Sequence, residues 1–375
     1  MRIQYVTAGE SHGKALVSII EGIPKGLKLD IQFINHELIR RMKGFGRGKR
    51  MQIEKDKIEV LSGIRGGKTL GSPIALLIKN KDSAIERLHS ISLPRPGHAD
   101  LAGALKYGER DIRNILERAS ARETASRVAA GSVCKILLKE FCVDLLSHVV
   151  MIGHIESEAR LPFKKMKQAA ERSPVRCVDK DISRLMCLEI KRAQSNGDTL
   201  GGVFEAVIKG VPPGLGSYVQ WTRRLDGNIA RAVMAIPGIK GVEIGFGFGV
   251  ALQSGSYLHD EIFFDKKIRK FTRKTNNAGG IEGGISNGED IVLRAAMKPI
   301  ATLKKPLDSV NIRTKKKTKA QVERADVSVV PAAGVIAENV CAIEIACAMT
   351  EKFGGDSLDE MKRNYEGYVK EMRKI

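Results

Sequence analysis

The sequence is poor in aromatic residues and has no long apolar run. Aromatic residues make up 5% of the 375 residues, with one tryptophan, and no stretch approaches the ~18 apolar residues of a membrane span. Proteins that bind single-stranded nucleic acid usually place aromatic faces beside a basic groove. The arginine clusters of this chain contain Phe45 and little else. These absences argue against a membrane protein and give little support to nucleic-acid binding.

Cysteine pairs with metal-binding or redox spacing are also lacking. The cysteines include no C-x-x-C pair, and we expect them to be buried free thiols in a reducing compartment. They are Cys134, Cys142, Cys177, Cys187, Cys341 and Cys347. The N-terminal MRIQYVTAGE is polar and carries an acid, unlike a signal peptide. The sequence therefore predicts a cytoplasmic protein without a metal site.

Positive charge is in excess. There are 63 Lys and Arg residues against 43 Asp and Glu, a formal net charge of +20. Such a balance attracts nucleic acid or small phosphorylated and carboxylated ligands. The arginines cluster at 40–50, 95–100 and 110–123. The lysine runs are typical of solvated loops and lie at 79–81, 266–267 and 315–317.

Two short patterns occur twice, in the same order. IIEGIPKGL (19–27) resembles VIKGVPPGL (207–215), and GIRGGKTLGSPIAL (63–76) resembles GIEGGISNGEDIVL (280–293). Two matches in order favour an internal duplication of a β–turn–α–β unit, approximately 1–145 and 200–355. We expect both halves to pack as a single domain over 1–375, with a site between them.

Helical periodicity separates the predicted strands. Helices are expected at 33–42, 120–141, 182–193, 227–234 and 336–353. A capping box, in which Ser120 accepts from the Glu123 amide, is predicted to begin the second of these. Asn287-Gly288 predicts a hairpin. The expected fold class is α/β or α+β with mixed sheets.

The first candidate site residue is His12. Glu10, Ser11 and His12 lie between glycines in TAGESHG, a pattern that alone is usually a solvated loop. Further on, GFGRGK (44–49) lacks the context of a phosphate-binding P-loop. Arg41 and Arg47 across that glycine-rich loop would suit an anionic ligand, or could form a basic surface loop.

A second candidate is His98 in RPGHAD. Asp100 is near enough in sequence to offset the charge of Arg95, which makes His98 a plausible proton donor or acceptor. The predicted helix start at Ser120 offers amides to an anion, flanked by Arg118 and Arg122, or is simply a cap with exposed arginines. The glycine-rich segment 276–289 would allow close backbone approach to a flat ligand.

Seven motifs taken together resemble one known family. They are TAGESHG, RRMKGFGRGKRM, RPGHAD, ERASARETASRVAAG, IPGIKGVEIGFGF, NNAGGIEGGISNGE and MKPIATL, in this order. The chain resembles chorismate synthase from about residue 1 to 355. The resemblance implies conversion of 5-enolpyruvylshikimate-3-phosphate to chorismate by anti-1,4-elimination of phosphate, with reduced FMN and no net redox change. It also implies a β-α-β sandwich of two pseudo-symmetric halves and a homotetramer.

The resemblance assigns catalytic roles to three residues. His12 would protonate the departing phosphate, His98 would protonate reduced flavin, and Asp326 would lie near flavin N5. Ala325 stands where many members have His, and Val327-Ser328 where many have Pro-Cys. Asp326 and Arg324 keep their spacing.

The remaining carried-over residues bind ligands. Arg41, Arg47 and Arg95 match arginines that hold the doubly anionic substrate. Lys298 and Thr302 suit the FMN phosphate, and any contact at Ala119 must be through its backbone. The full set of flavin contacts is Arg118, Ala119, Ser120, Pro237, Gly238, Gly283, Lys298, Pro299, Ile300, Ala301, Thr302 and Arg324.

Two other functions remain open from the residues alone. A basic RNA-binding protein would show salt-sensitive polyanion binding without flavin dependence. An oxidoreductase that uses flavin or NADPH would transfer a net hydride, although the chain lacks the G-x-G-x-x-G dinucleotide fingerprint. An intrinsic NADPH:flavin reductase activity is compatible with the sequence.

Overall fold

The computed structural model describes residues 3–48, 54–267, 269–323 and 326–374. Its strands are β1 (Gln4–Ala8), β2 (Ala15–Glu21), β3 (Ile58–Val60), β4 (Ile64–Arg65), β5 (Lys68–Thr69), β6 (Ile74–Lys79), β7 (Asp144–Ile152), β8 (Ile155–Glu156), β9 (Gly202–Lys209), β10 (Ile239–Ile244), β11 (Ile262–Asp265), β12 (Lys270–Arg273), β13 (Ile281–Glu282), β14 (Ile285–Ser286), β15 (Ile291–Met297), β16 (Asp308–Val310) and β17 (Lys317–Lys319).

The helices lie between and after these strands. They are α1 (Ile31–Met42), α2 (Asp100–Tyr107), α3 (Ile112–Ala119), α4 (Thr124–Lys139), α5 (Phe163–Arg172), α6 (Lys180–Ser195), α7 (Leu225–Met234), α8 (Gly255–Leu258), α9 (Val330–Phe353) and α10 (Leu358–Met372). The helix predictions for 33–42, 182–193, 227–234 and 336–353 fall within α1, α6, α7 and α9 and are confirmed.

A layer of helices separates the larger sheets, which makes the fold a β-α-β sandwich, as expected. The first sheet has strand order β1-β2-β6-β3 and packs on α4, and the second has order β10-β15-β9-β7-β8 and packs on α9. Among the described strands all pairings are antiparallel, so the expectation of mixed sheets was wrong. In these two sheets, β1-β2 and β7-β8 are the described neighbours that follow each other in the chain, and the other neighbouring strands are joined by longer segments.

Equivalent strands occupy equivalent places in the larger sheets. Read from one edge, β1-β2-β6-β3 corresponds to β7-β9-β15-β10. Ile20 pairs with Ile74 in the first sheet, and Ile208 pairs with Ile291 in the second. An internal duplication would produce this correspondence. The strand β7 belongs to the second sheet, although it precedes residue 200, the predicted start of the second repeat.

The repeated glycine pairs form the same turn in each half. Gly66-Gly67 joins β4 to β5 and Gly283-Gly284 joins β13 to β14, and all four glycines have positive φ. Side-chain-bearing residues are strained in that conformation, which accounts for the repeated glycines. The hairpin predicted at Asn287-Gly288 was wrong, because β14 pairs backward with β13 and not forward with β15.

The helix predicted from Ser120 begins later. A 3₁₀ turn, Ala121–Glu123, precedes α4, and Ser120 Oγ accepts from the Arg122 amide at 3.3 Å. The predicted capping box is therefore wrong, because the Glu123 carboxylate binds Arg127 Nε at 2.9 Å and Thr7 Oγ1 at 2.9 Å. Cys142 also departs from expectation, since it is exposed at a left-handed position after α4 (φ 60°).

The helix α9 is the centre of the helical layer. It is the one described helix long and apolar enough to cross a membrane, and 89% of its apolar window is buried inside the protein. Gly131 of α4 lies against it: a Cβ at Gly131 would be 2.3 Å from the carbonyl oxygen of Asn339. Glycine is therefore what lets the backbones of α4 and α9 touch.

Charged side chains are buried in the same layer and neutralise one another. Arg40 Nη1 donates to Glu37 at 2.7 Å and to Glu338 at 2.8 Å, and Lys135 Nζ donates to both acids at 2.6 Å. Arg176 bridges Glu171 at 2.7 Å and Glu338 at 3.3 Å. Burial alone would raise the pKa of Glu37, but Lys135 and Arg40 outweigh burial and lower it. We call these six residues the central charge cluster.

Gly131→Ala should destabilise the protein. The added methyl group would push α4 from α9, and such overpacking costs about 1–3 kcal/mol. Gly367→Ala is the matched control, because it lies in α10 and an added Cβ there would have no atom within 4 Å; at this position alanine should gain up to about 1 kcal/mol from helix propensity. Thermal and urea unfolding measure both. Equal stability of Gly131→Ala and the wild type would contradict the tight crossing.

Candidate active site

The helix α3 holds the loop that carries His12. The His12 amide donates to Glu117 Oε2 at 2.8 Å, and His12 Nδ1 lies 3.0 Å from the same carboxylate. The Ser11 amide donates to the Glu117 carbonyl oxygen at 2.9 Å. The His12 side chain is 17% exposed. The imidazole is thus held in place, and the solvated-loop alternative was wrong.

Glu117 was not predicted as a site residue. Its side chain is 2% exposed. Burial alone would raise the pKa of Glu117, but its hydrogen bonds with the side chain and backbone of His12 outweigh burial and lower it. Its burial on α3, together with Ile112 and Leu116, is seen only in the structure.

A cleft opens beside this loop, with a volume of about 550 Å³. Four of the predicted flavin contacts line it: Arg118, Ala119, Ser120 and Pro237. Residues that sequence analysis missed complete the lining: Tyr5, Thr7, Glu123, Arg127 and Ala235. Sites of this size accept drug-sized or cofactor-sized ligands.

Arg118 also supports the His12 loop. Its guanidinium donates to the Gly9 carbonyl oxygen at 2.8 Å and to the Thr7 carbonyl oxygen at 2.9 Å. Ser120 Oγ donates to Ser11 Oγ at 3.2 Å. The cleft and the His12 loop are therefore parts of one site.

Asn80 joins the His12 loop to a group of arginines. Its amide donates to the carbonyl oxygen of Gly13 at 2.8 Å, and its Oδ1 accepts from Arg122 Nε at 3.0 Å. Arg122 Nη1 then donates to Asp56 at 2.7 Å. Asn80 is 8% exposed. It falls in the lysine run at 79–81, so the solvated-loop interpretation was wrong for this residue.

Arg41 is buried, the Arg47 side chain is 10% exposed, and both retain unused donors among the described residues. Arg41 lies in α1, as the predicted helix 33–42 implied, and not in the glycine-rich loop. Its Nη1 is 3.8 Å from Asp56 and makes no hydrogen bond among the described residues. Arg47 Nη1 is 3.3 Å from Asp326, while its Nε has no hydrogen-bond partner there. Burial lowers the pKa of Arg41 to about 10. An oxyanion would satisfy these donors.

Asp326 anchors the loop that carries Arg47. Its carboxylate accepts from the Gly48 amide, and the Val327 amide donates to the Gly46 carbonyl oxygen at 2.8 Å. The predicted flavin contact Arg324, and Ala325 beside it, lie outside the described residues. Asp326 and Arg47, which the resemblance gave to different ligands, are thus ion-pair partners here.

His98 belongs to a second group of side chains. Its Nδ1 is 2.5 Å from Asp100 Oδ1, and Arg95 Nε donates to Asp100 Oδ2 at 2.8 Å. The predicted charge offset by Asp100 is therefore confirmed. Burial alone would raise the pKa of Asp100, but hydrogen bonds with His98 and Arg95 hold it well below its usual value. Asp100 and Thr302, the side chains to which Arg95 donates, are not partners of Arg41 or Arg47 among the described residues.

The segment 298–302 connects His98 to the cleft. The Lys298 amide donates to the Gly238 carbonyl oxygen at 2.9 Å, beside the cleft-lining Pro237, and its ammonium group donates to the Gly97 carbonyl oxygen. Thr302 Oγ1 accepts from Arg95 at 2.8 Å. Burial and the charge of Lys240 lower the pKa of Lys298. An anion near Lys298 would offset this positive charge.

The other predicted flavin contacts are placed less directly. Ile300 offers its carbonyl oxygen to Thr199 Oγ1 at 2.8 Å, and Pro299 and Ala301 flank it in the chain. Gly283 lies in the β13–β14 turn. Within the described ranges, no hydrogen bond or ion pair joins Gly283 to the residues that line the cleft.

Comparison with protein families gives a match over almost the whole chain. The family model described as chorismate synthase matches residues 3–350. That span includes all the predicted site residues.

Individual relatives match at full length. A chorismate synthase from Carboxydothermus hydrogenoformans is 52% identical, over 98% of this chain and 98% of that protein. Another from Alkaliphilus metalliredigens is 54% identical, over 97% and 98%. A crystal structure of chorismate synthase superposes with a TM-score of 0.83 and 43% identity, and covers 100% of this chain and 99% of that one.

Proposed function

The chain belongs to the chorismate synthase family and is a lyase that forms chorismate, and we propose that it does so in the cleft beside His12 with reduced FMN. The substrate of this reaction is 5-enolpyruvylshikimate-3-phosphate, and phosphate leaves by anti-1,4-elimination. The observation that carries the proposal is the chain of contacts from the His12 loop through Asn80, Arg122 and Asp56 to Arg41. RNA binding and net hydride transfer, the alternatives, gain no support from the family.

His12 is assigned to the departing phosphate. Its Nδ1 is occupied by Glu117, whereas the acid within ion-pair range of its Nε2 among the described residues is Asp82, at 3.8 Å. A proton carried at Nε2 can pass to the phosphate oxygen as the C–O bond breaks, which is general acid catalysis.

The buried arginines are assigned to the substrate. Arg41 and Arg47 each keep an N–H group without a protein acceptor among the described residues, and Arg122 lies between them and the His12 loop. Guanidinium groups pair with phosphate and carboxylate in two-point contacts, which fix orientation as well as affinity. Arg95 is better placed to hold His98 and Asp100 than to reach the same anion.

The donor set also fits a flavin phosphate and ring. The 550 Å³ cleft carries the Arg118 guanidinium and the Ser120 hydroxyl, and the Lys298 amide donates to Gly238, next to the cleft-lining Pro237. Lys298 and Thr302 would hold the phosphate. Reduced FMN, when bound, supplies transient electron density to the reaction and takes it back. His98 would hold a proton at the flavin edge, with Asp100 fixing its ring, and Asp326 would lie near N5.

The oligomer and the location are proposals as well. Large apolar side chains are exposed around 218–271, among them Trp221 (77%), Phe248 (81%) and Leu252 (86%). Patches of this kind mark interfaces, and we propose that they join four copies into a homotetramer. We further propose a cytoplasmic enzyme without a nucleic-acid or membrane partner.

The proposed reaction is tested by anaerobic turnover. Protein stripped of cofactor should release phosphate and form chorismate in equal amounts only when reduced FMN is supplied. Oxidised FMN under air should support no turnover, because the elimination needs the electron density of the reduced ring. Turnover without any flavin would overturn the cofactor assignment. Tight RNA binding in a parallel titration would favour the alternative function.

Arg47→Ala should weaken substrate binding much more than FMN binding. The variant removes a buried charge aimed at the substrate, and charge-assisted hydrogen bonds are worth roughly 1.5–3 kcal/mol. We expect the KM for substrate to rise roughly 10- to 100-fold, with the Kd for FMN within a factor of about two. Arg363→Ala removes the same charge from the surface of α10 and is the control. Equal losses for both ligands would show that Arg47 is misassigned.

The homotetramer should appear in sedimentation velocity as four chains of 41.0 kDa. Leu252→Asp would place a charge in the exposed apolar surface and should dissociate it, because burying an unpaired carboxylate is unfavourable. A wild-type protein that sediments as a monomer at micromolar concentration would contradict the proposal.

A further inference from the structure

We propose that Glu117 is a positioning residue for the reaction: it holds His12 with Nδ1 protonated and leaves Nε2 as the atom that gives up the proton. The inference deepens the proposed function, since it rests on the role of His12 as general acid. The sequence motif around His12 does not include Glu117, which lies 105 residues further along the chain.

Three contacts from one residue fix the loop and the ring. The Glu117 carbonyl oxygen accepts from the Ser11 amide at 2.9 Å, and its carboxylate accepts from the His12 amide at 2.8 Å. The same carboxylate lies 3.0 Å from His12 Nδ1 with both oxygens. A carboxylate accepts and does not donate, so Nδ1 must carry the hydrogen. The other nitrogen, Nε2, is then the one that changes protonation during turnover.

The charged side chains near the His12 imidazole come from α3, from the segment after β6 and from its own loop. From α3, Glu117 faces it directly, and Arg113 is 3.7 Å from Glu117 Oε1. From the segment after β6, Asp82 Oδ2 is 3.8 Å from Nε2, and its side chain is 39% exposed. From its own loop, the Glu10 carboxylate lies against Gly13. Glu117 is therefore the one buried acid among these groups in hydrogen-bond contact with the ring.

The consequence for the reaction concerns the proton. A buried carboxylate next to the ring stabilises the imidazolium form, in which both ring nitrogens carry hydrogen. The Nε2 proton moves to the phosphate oxygen as the C–O bond breaks and its electron pair leaves with phosphate. His12 is left neutral with its Nδ1 hydrogen still bonded to Glu117, so the ring keeps its orientation for the next protonation.

A double-mutant cycle tests this role. Anaerobic kcat and KM are measured with reduced FMN for the wild type, His12→Gln, Glu117→Gln and the double variant. His12→Gln should lower kcat roughly 10²–10⁴-fold, as for a lost general acid. Glu117→Gln should lower kcat roughly 10- to 100-fold with little change in KM, as for other groups that orient a functional histidine. Because Glu117 acts through His12, the double variant should be no slower than His12→Gln.

The pH dependence gives a readout that a purely structural role would not change. Glu117→Gln removes the carboxylate that accepts from Nδ1, so the alkaline limb of the pH profile of kcat should move while KM stays the same. Glu86→Gln removes a carboxylate from the exposed surface nearby and is the control, because it should leave the limb in place. Asp82→Asn, which removes the 39% exposed carboxylate 3.8 Å from Nε2, should move the limb less than Glu117→Gln. FMN affinity and thermal unfolding of each variant report whether the fold is intact.

The outcomes separate this inference from the general-acid assignment. If His12→Gln keeps its turnover, both are overturned. If His12→Gln loses turnover but Glu117→Gln keeps wild-type kcat and pH profile, only the role of Glu117 is overturned. The same holds if the double variant is slower than His12→Gln by the full factor of Glu117→Gln, or if Asp82→Asn moves the limb more than Glu117→Gln does. A Glu117→Asp variant that regains part of the rate would add support.

Discussion

The buried central charge cluster is the constraint on which the arrangement of the helices depends. Three cations and three carboxylates share one space between α1, α4, α9 and β7, and Glu338 within it is fully buried. Removing one partner of such a set costs about 3–5 kcal/mol, because an uncompensated charge stays buried. Arg40 belongs to the cluster and Arg41 is the next residue in α1. The cluster therefore also fixes the helix that presents an arginine to the active site.

Local patterns predicted most of the fold. Four helices and the repeated glycine turns followed from periodicity and from residues that need special backbone angles, such as Gly66-Gly67. The β-α-β sandwich was implied by the resemblance to a known family. The failures have local causes too. Asn287-Gly288 has hairpin composition, but β14 is already paired with β13. The Ser120 cap was misjudged because Arg127 and Thr7 compete for Glu123.

The site was only partly visible in the sequence. His12 and His98 stand in conspicuous glycine loops, and the resemblance to a known family gave them roles. Glu117 and Asn80 were not predicted, because their importance depends on contacts across 105 and 67 residues. Asn80 was also hidden between two lysines. Conversely, Arg95 looked like a ligand for substrate, whereas its donors are taken by Asp100 and Thr302. A charge count cannot distinguish an arginine with free donors from one already paired.

The equivalent strand orders of the larger sheets create a problem of self-recognition during folding. The strands β2 and β9 hold equivalent places in the two sheets, beside β6 and β15. Backbone hydrogen bonds do not depend on side chains, so pairing β2 with β15, or β9 with β6, would satisfy the same kind of backbone groups. The charge cluster distinguishes them, because Glu37, Arg40 and Lys135 come from one half and Glu338 from the other. A mispaired chain would bury Glu338 away from its cations. Charge pairing between the halves therefore favours the native strand pairing, which backbone hydrogen bonds alone do not select.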